Sequence, residues 1–315
     1  MGIKGLNRYL RNNCSKGINI KNLSELCDKT ITIDISIYLY KFSIDNEVIE
    51  SFYSMIVLLK KYNIKPLFIF DGVPLNIKEI TLNKRKYEKE EAYAEYNRLK
   101  KKSCKNYNEK KILQKRLNEL KRCFISIDEN DIKNVKKLFD LYGVMYITAE
   151  HEADVLCSDL VIKGKAWACM SEDMDMFIYG CPRVLKYFSI LKNTVVLYEL
   201  KDILESLDMD FTNFKNICIL SGTDYNSNVN TGINIFKIFD LFYKYKDLNI
   251  KYSFYTWLNN TTEMIKNFKE FINIHKVFKL SNEKYDNLNI DFSSTQKENL
   301  LLFLESFNFV HLPVP

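Results

Sequence analysis

Lys65-Pro66-Leu67-Phe68-Ile69-Phe70-Asp71 is an apolar run that closes on an acid. A short run without polar alternation marks a strand buried on both faces, the habit of parallel sheets covered by helices. Thr30-Ile31-Thr32-Ile33-Asp34, β-branched up to its last residue, also closes on an acid upstream. Working outward, β-branched or aromatic runs at residues 143–148, 165–171 and 194–198 predict three further strands. Between them Val135, Leu138, Phe139 and Tyr142 recur at helical spacing, with Gly143 as the stop. Alternating strands and helices predict an α/β fold, a mainly parallel central sheet flanked by helices. Beyond about residue 225 only helix-forming segments follow, among them 236–245 and 262–280. The expected division is therefore a core of residues 1–225 and a mainly helical region of residues 226–315.

The 315 residues are 47% hydrophobic and 14% aromatic, ample for a full core. The longest apolar runs, such as 66–70 and 217–220, fall far short of the ~20 residues that cross a bilayer, so no membrane span is expected. The start, Met1-Gly2-Ile3-Lys4-Gly5-Leu6, has no apolar secretion segment, and an intracellular protein is expected. Eight cysteines lie scattered without a CxxC pair, and the histidines are His151, His275 and His311. Reduced thiols are expected rather than disulfides or zinc.

The net charge of +6 is uneven: residues 78–122 hold 16 Lys or Arg against 7 Asp or Glu. Concentrated positive charge beside a mildly acidic body points to a polyanion, phosphate backbones being the usual one. A solvated helical hairpin accounts for the charge equally well. The apolar residues of this segment are thin and interrupted, so it buries little. Two helices broken near residues 103–108 are expected, projecting as an arch between the second and third strands.

The acids carry the chemistry. Asp34 and Asp71 close the first two strands, and Ser171-Glu172-Asp173-Met174-Asp175 follows the strand at 165–171. Glu150-His151-Glu152-Ala153-Asp154 follows the strand at 143–148, and Asp224 follows the apolar run 217–220. Ligands of open parallel sheets sit beyond the carboxyl ends of the strands, so these acids face one crevice. Glu152 and Asp154 stand two apart, and at about 100° per residue they converge only where a helix begins. Acids at strand ends also serve as turn formers and helix caps. Seven carboxylates in one crevice would repel each other into taking up protons unless cations neutralised them. Oxygen donors with almost no His or Cys nearby favour Mg²⁺ or Mn²⁺ over zinc. Two such ions, roughly 4 Å apart, suit phosphodiester hydrolysis.

With these residues in view, the sequence resembles the flap endonuclease family of structure-specific 5′ nucleases, the XPG/Rad2-like superfamily. The resemblance covers about residues 1–245. It is carried by Met1-Gly2-Ile3-Lys4-Gly5-Leu6, Ile33-Asp34-Ile35-Ser36-Ile37-Tyr38-Leu39-Tyr40, Phe70-Asp71-Gly72-Val73-Pro74, Glu152-Ala153-Asp154, Ser171-Glu172-Asp173-Met174-Asp175 and Gly222-Thr223-Asp224-Tyr225. It implies a PIN-like 5′-nuclease fold and two Mg²⁺ ions held by Asp34, Asp71, Glu152, Asp154, Asp173, Asp175 and Asp224, with Mn²⁺ as a substitute. Asp154 departs from the Glu usual at its position. Lys78 and Arg85 match the family's basic pair at the substrate gateway. Their spacing of two helical turns puts both on one face, beside Lys84. The resemblance further implies that Gly2 lies close to the active site and that Tyr40 stacks a base.

After Asp224 the family carries a glycine-rich helix–two-turn–helix element that grips duplex phosphates. Gly232 and Lys237 fall in that stretch here. One glycine of the usual pair and the following proline are missing, which puts in question the potassium ion that several members hold. Tethering to a sliding clamp by the family's usual route is not expected either, since no glutamine-led aromatic motif is found before Pro315. The resemblance implies a monomer acting on branched DNA with a 5′ single strand, in the nucleus or wherever DNA is replicated and repaired. Two rivals remain open: a PIN-like RNA nuclease, and a branched-DNA binding protein without catalysis.

Overall fold

A computed structural model of the chain describes residues 2–44, 47–73, 79–102, 106–225, 234–262, 268–280, 285, 288–290, 293–307 and 309. The strands are β1 Ile18–Asn22, β2 Thr30–Asp34, β3 Lys65–Phe70, β4 Met145–Thr148, β5 Ala168–Met170, β6 Arg183–Ser189 and β7 Thr194–Glu199. The first helices are α1 Leu6–Asn13, α2 Ile35–Ser43, α3 Val48–Lys61, α4 Glu79–Lys100, α5 Tyr107–Phe124, α6 Glu129–Tyr142 and α7 Ala153–Ile162. They are followed by α8 Leu200–Ser206, α9 Phe211–Leu220, α10 Ile235–Asp247, α11 Phe254–Thr261, α12 Phe268–Val277 and α13 Lys297–Glu305. The chain divides into two compact units. One comprises Met1–Ile35, Ile56–Pro74 and Met145–Phe292; the other comprises Ser36–Met55, Leu75–Val144 and Ser293–Pro315.

The first unit is built on one seven-stranded sheet of order β1-β7-β6-β5-β2-β3-β4. From β6 through β4 every pairing is parallel, and β7 runs antiparallel between β6 and β1. The central strands are nearly all apolar because both faces are covered: Ile31, Ile33, Leu67, Phe68 and Ile69 are fully buried. Helix α7 packs across β2, β3 and β5. At α1 and α10 the Tyr9 ring stacks on Phe239, centroids 3.8 Å apart, and meets Phe236 edge-on.

The second unit holds the long pair α4 and α5. Their sequences offer almost nothing to a core, and among the described residues of the pair only Ala92 and Leu120 are buried. What joins them is specific instead. The Arg116 guanidinium spans both oxygens of Glu95 at 3.1 and 2.9 Å, and Tyr93 and Tyr96 meet Phe124 edge-on. Asn106 starts α5 by accepting the Glu109 amide, so the expected break lies at the expected place. In the same unit Phe52 packs against Phe42 and Phe139.

The predicted strands all form: Thr30–Asp34 has the expected bounds, the last runs one residue further to Glu199, and the other three are shorter. Residues 143–144 are not strand: Gly143 takes φ 75° to cap α6, and the Val144 amide donates to the Phe139 carbonyl, a left-handed helix stop. The strand expected at 165–171 is only Ala168–Met170, because the amides of Lys165 and Ala166 close α7 on the Leu160 carbonyl. Asp71 lies one residue beyond β3. β1 and β6 were not foreseen, and β7 with β1 makes this end of the sheet antiparallel. Among the described residues Cys14, Cys27, Cys123, Cys157, Cys169, Cys181 and Cys218 are free thiols, and no helix is long and apolar enough to cross a membrane.

On α12, burial pushes the His275 imidazole from 6.5 down to about 4, with the Lys215 ammonium adding to the effect. The Phe271 and Tyr255 rings stand beside it. The unfolded chain gains a proton near pH 6.5 that the folded chain refuses until about pH 4, so stability is lost as pH falls through that window. Discounted for the half-exposed ring, the loss is of order 1–2 kcal/mol. The unfolding free energy of the native chain from urea titration is expected to fall further between pH 7 and pH 4.5 than that of His275→Gln, by this amount.

Candidate active site

Chain order reverses about β2: β3 and β4 lie to one side of it, β5 and β6 to the other. The carboxyl ends of β2 and β5 therefore flank a switch point, where open parallel sheets bind ligands. Register sets the acids there. Asp34 is level with Ile69 of β3, and Ile33 with Met170 of β5, so Asp34 and the Ser171–Asp175 segment leave the sheet side by side.

Five of the seven acids accept a local donor. Asp34 is 7% exposed and accepts the Ser171 hydroxyl at 3.1 Å. That hydroxyl also receives the Asp173 amide at 3.1 Å, and Asp173 Oδ1 accepts the Asp175 amide at 3.0 Å. Asp175 is 3% exposed and opens a short 3₁₀ turn. Asp71 accepts the Ala153 amide at 2.8 Å, the first residue of α7, where helix geometry leaves amides unpaired. Glu152 is the residue that precedes α7, as its spacing from Asp154 requires, and it accepts the Tyr225 hydroxyl at 2.5 Å. Asp154 Oδ1 accepts the Val155 amide at 2.8 Å. Asp224, half-buried, is the residue before Tyr225.

The amino terminus closes on the same acids. Gly2 takes φ 72°, and a Cβ built there falls 2.1 Å from Asp173 Oδ1 and 2.5 Å from Asp175 Oδ1. Two carboxylate oxygens so close to one point repel unless a proton or a cation stands with them. At Gly72 a Cβ would fall 2.1 Å from the Ala149 carbonyl, and the Val73 amide donates to the Glu150 carbonyl at 3.1 Å. These contacts join the segment after β3 to the one after β4.

Tyr179 and Tyr225 line the acids. Burial pushes both phenols well up; the charges of Glu152 and Asp154 push further. Lys186 of β6 is 1% exposed and donates to the Glu172 carbonyl; burial lowers its ammonium, opposed by Glu172 and Asp173. Composition held no signal for these three, although Tyr225 and Ser171 lie inside the acidic motifs themselves.

All seven predicted acids and Gly2 belong to the first unit. Among the described residues no group of three His, Cys, Asp or Glu side chains is set to hold an ion as it stands. Oxygens of Asp34, Asp71, Glu152, Asp154 and Asp173 turn to local donors instead. The donor set still fits a hard divalent cation: carboxylate oxygens only, arriving from the ends of neighbouring strands and crowded at Gly2. Arg85, Lys84 and Tyr40 belong to the second unit. Arg85 and Lys84 are exposed on α4, and Tyr40, 45% exposed, has the Lys89 ammonium 5.3 Å from its ring centre. Lys237 is exposed in the first turn of α10, which Asn234 caps. Lys78 and Gly232 lie outside the described residues.

Residues 1–92 match the family model of the XPG N-terminal domain, and residues 143–224 that of the XPG I-region. Flap endonuclease 1 of Glycine max is 30% identical over 98% of this chain and 83% of its own. Flap endonuclease 1 of Lodderomyces elongisporus is 32% identical over 71% of this chain. The chain spans about three fifths of the length of several such relatives, 61% in the Lodderomyces case. Among solved structures, flap endonuclease-1 from Methanococcus jannaschii is 25% identical with a TM-score of 0.62, over 92% of this chain and 90% of that one.

The Tyr225 hydroxyl is the donor that tests this geometry most directly. Removing a buried hydrogen bond to a charged group costs roughly 1.5–3 kcal/mol. Tyr225→Phe is expected to lose that much in a urea titration at pH 7.5, and unchanged stability would show that the bond to Glu152 does not form.

Proposed function

Because the chain belongs to the flap endonuclease family, we propose that it is a metal-dependent, structure-specific 5′ nuclease that hydrolyses branched DNA near a junction of single strand and duplex. The observation that carries this reading is the crowding of carboxylates at the switch point: Asp173 and Asp175 meet at Gly2, and the Ser171 hydroxyl that donates to the Asp34 carboxylate accepts the Asp173 amide. Asp34, Asp71, Glu152, Asp154, Asp173, Asp175 and Asp224 would hold two Mg²⁺ ions, with Mn²⁺ as a substitute. When bound, such ions supply Lewis acidity and charge screening for attack of water on a phosphodiester.

The residues have separable tasks. Ser171 and the Ala153 and Asp175 amides hold the carboxylates of Asp34, Asp71 and Asp173 in place by hydrogen bonds. Lys78 and Arg85 take the family's role of gripping the scissile phosphate and offsetting the charge that grows on it during reaction. Tyr40 offers a ring for base stacking, which in free protein means displacing the Lys89 ammonium. Lys84 and the basic pair α4 and α5 attract the 5′ strand, while Lys237 and Gly232 belong to the segment that grips duplex. This gives residues 1–225 the chemistry and residues 226–315 the duplex contact. The site of action is wherever DNA is replicated or repaired, with the chain working as a monomer.

A panel of labelled 5′-flap, nicked, gapped and four-way DNAs with Mg²⁺, alongside single-stranded RNA, separates this from its rivals. The chain is expected to cut the flap beside its junction. Asp173→Ala is expected to lose cleavage by roughly 10³-fold, the several kcal/mol that such ligation supplies, and to keep flap binding in Ca²⁺ within about threefold. Cleavage confined to RNA, or full turnover by Asp173→Ala, would reject the assignment.

A further inference from the structure

Lys186 is a lysine 1% exposed, a burial that this residue type rarely accepts without a partner. Among the described residues its hydrogen-bond and ion-pair partner is Glu172. The ammonium donates to the Glu172 carbonyl at 2.5 Å and stands 3.8 Å from Glu172 Oε2. The next amide along β6, that of Tyr187, donates to Glu172 Oε1 at 2.6 Å. Both bonds fall where the strand is irregular. The pairing of β6 with β7 shifts register between Lys186 and Ser189, and Tyr187 takes φ 56°, a left-handed backbone rare for an aromatic residue.

Glu172 is the link between Ser171 and Asp173. Ser171 holds Asp34, and Asp173 faces Gly2 together with Asp175. The bulge therefore grips the acidic segment at its middle. It grips the amino-terminal segment too. Asn7 of α1 donates to the Tyr187 hydroxyl and accepts the Tyr198 hydroxyl at 2.8 Å, and the Arg11 guanidinium lies 5.5 Å from the Tyr187 ring centre. Helix α1 begins four residues after Gly2. Both flanks of the Gly2, Asp173 and Asp175 contact thus hang from one irregular turn of β6.

We infer that Lys186 is a positioning residue for cation loading: it fastens Glu172 to β6, which fixes Asp173 and Asp175 and keeps the Glu172 carboxylate away from the acids that bind the ion. The inference rests on the cation-dependent reading of the site and adds to it a residue that touches neither ion nor substrate. Partners behind metal ligands typically affect affinity 10–100-fold when removed.

The test is Mn²⁺ binding to the full chain without DNA, by calorimetry, so that no turnover is needed. Lys186→Met is expected to fold, by circular dichroism and thermal melting, and to bind Mn²⁺ at least about tenfold more weakly. Its flap cleavage is expected to need about tenfold more Mg²⁺ for half-maximal rate, with the maximal rate recovered within about twofold at saturation. A purely structural role would leave the affinity of the folded variant unchanged, and binding within twofold of the native chain would overturn the inference. Should Lys186→Met not fold, Glu172→Gln decides: it keeps the carbonyl acceptor and removes the ion pair, and is expected to weaken Mn²⁺ binding severalfold, unchanged binding overturning the inference. A native chain that takes up no Mn²⁺ would instead bring down the parent reading, and this one with it.

Discussion

The acidic edge persists because neutral donors stand against its carboxylates. The Ser171 hydroxyl serves Asp34, the Ala153 amide Asp71, the Tyr225 hydroxyl Glu152 and the Asp175 amide Asp173. Donors of this kind satisfy carboxylate oxygens withdrawn from water. Their supply is architectural. The Ala153 amide is available because α7 starts there, and the positive end of that helix adds its own attraction for Asp71 and Asp154. Ser171 is available because β5 ends one residue before it, level with β2. The sheet therefore positions both the charges and the groups that make them tolerable.

Much of this was legible from residue order alone. An apolar run closing on an acid states two things at once: a strand with both faces covered, and a charge where that cover stops. Thr30–Asp34 and Lys65–Phe70 are such runs, and they form β2 and β3 nearly as expected. Gly143 behaves as its position after a helical pattern implies, with the left-handed backbone of a helix stop. β1 and β6 were illegible for opposite reasons. β1, Ile18–Asn22, is a polar edge strand with little burial to impose a pattern. β6 carries a buried lysine and a left-handed tyrosine, and either one breaks the alternation by which a strand is recognised. The orientation of the acids was equally beyond reach, since it depends on partners such as Ser171 and Tyr225 that come from other segments.

The second unit follows a different economy. Helices α4 and α5 meet through the Arg116 to Glu95 pair and a few aromatic edges, with Leu120 and Ala92 as the buried residues among those described. Exposed ion pairs contribute little, so pairs of this kind set direction more than they hold shape. A charged helix pair with a thin core opens at low cost in free energy, whereas the sheet, with Leu67, Phe68 and Ile69 wholly enclosed, does not. The molecule thus keeps its acids on the stiff part and its basic surface on the compliant one.

The backbone at Gly2 carries a consequence for mutational tolerance. On the proposed reading, a metal ligand can drift between Asp and Glu, because a methylene more or less changes reach without changing kind. Position 2 has no such latitude: even the smallest side chain would put carbon within 2.5 Å of two carboxylate oxygens, on a backbone that favours glycine in any case. A residue with no functional group of its own is in this way the least exchangeable member of the acidic edge.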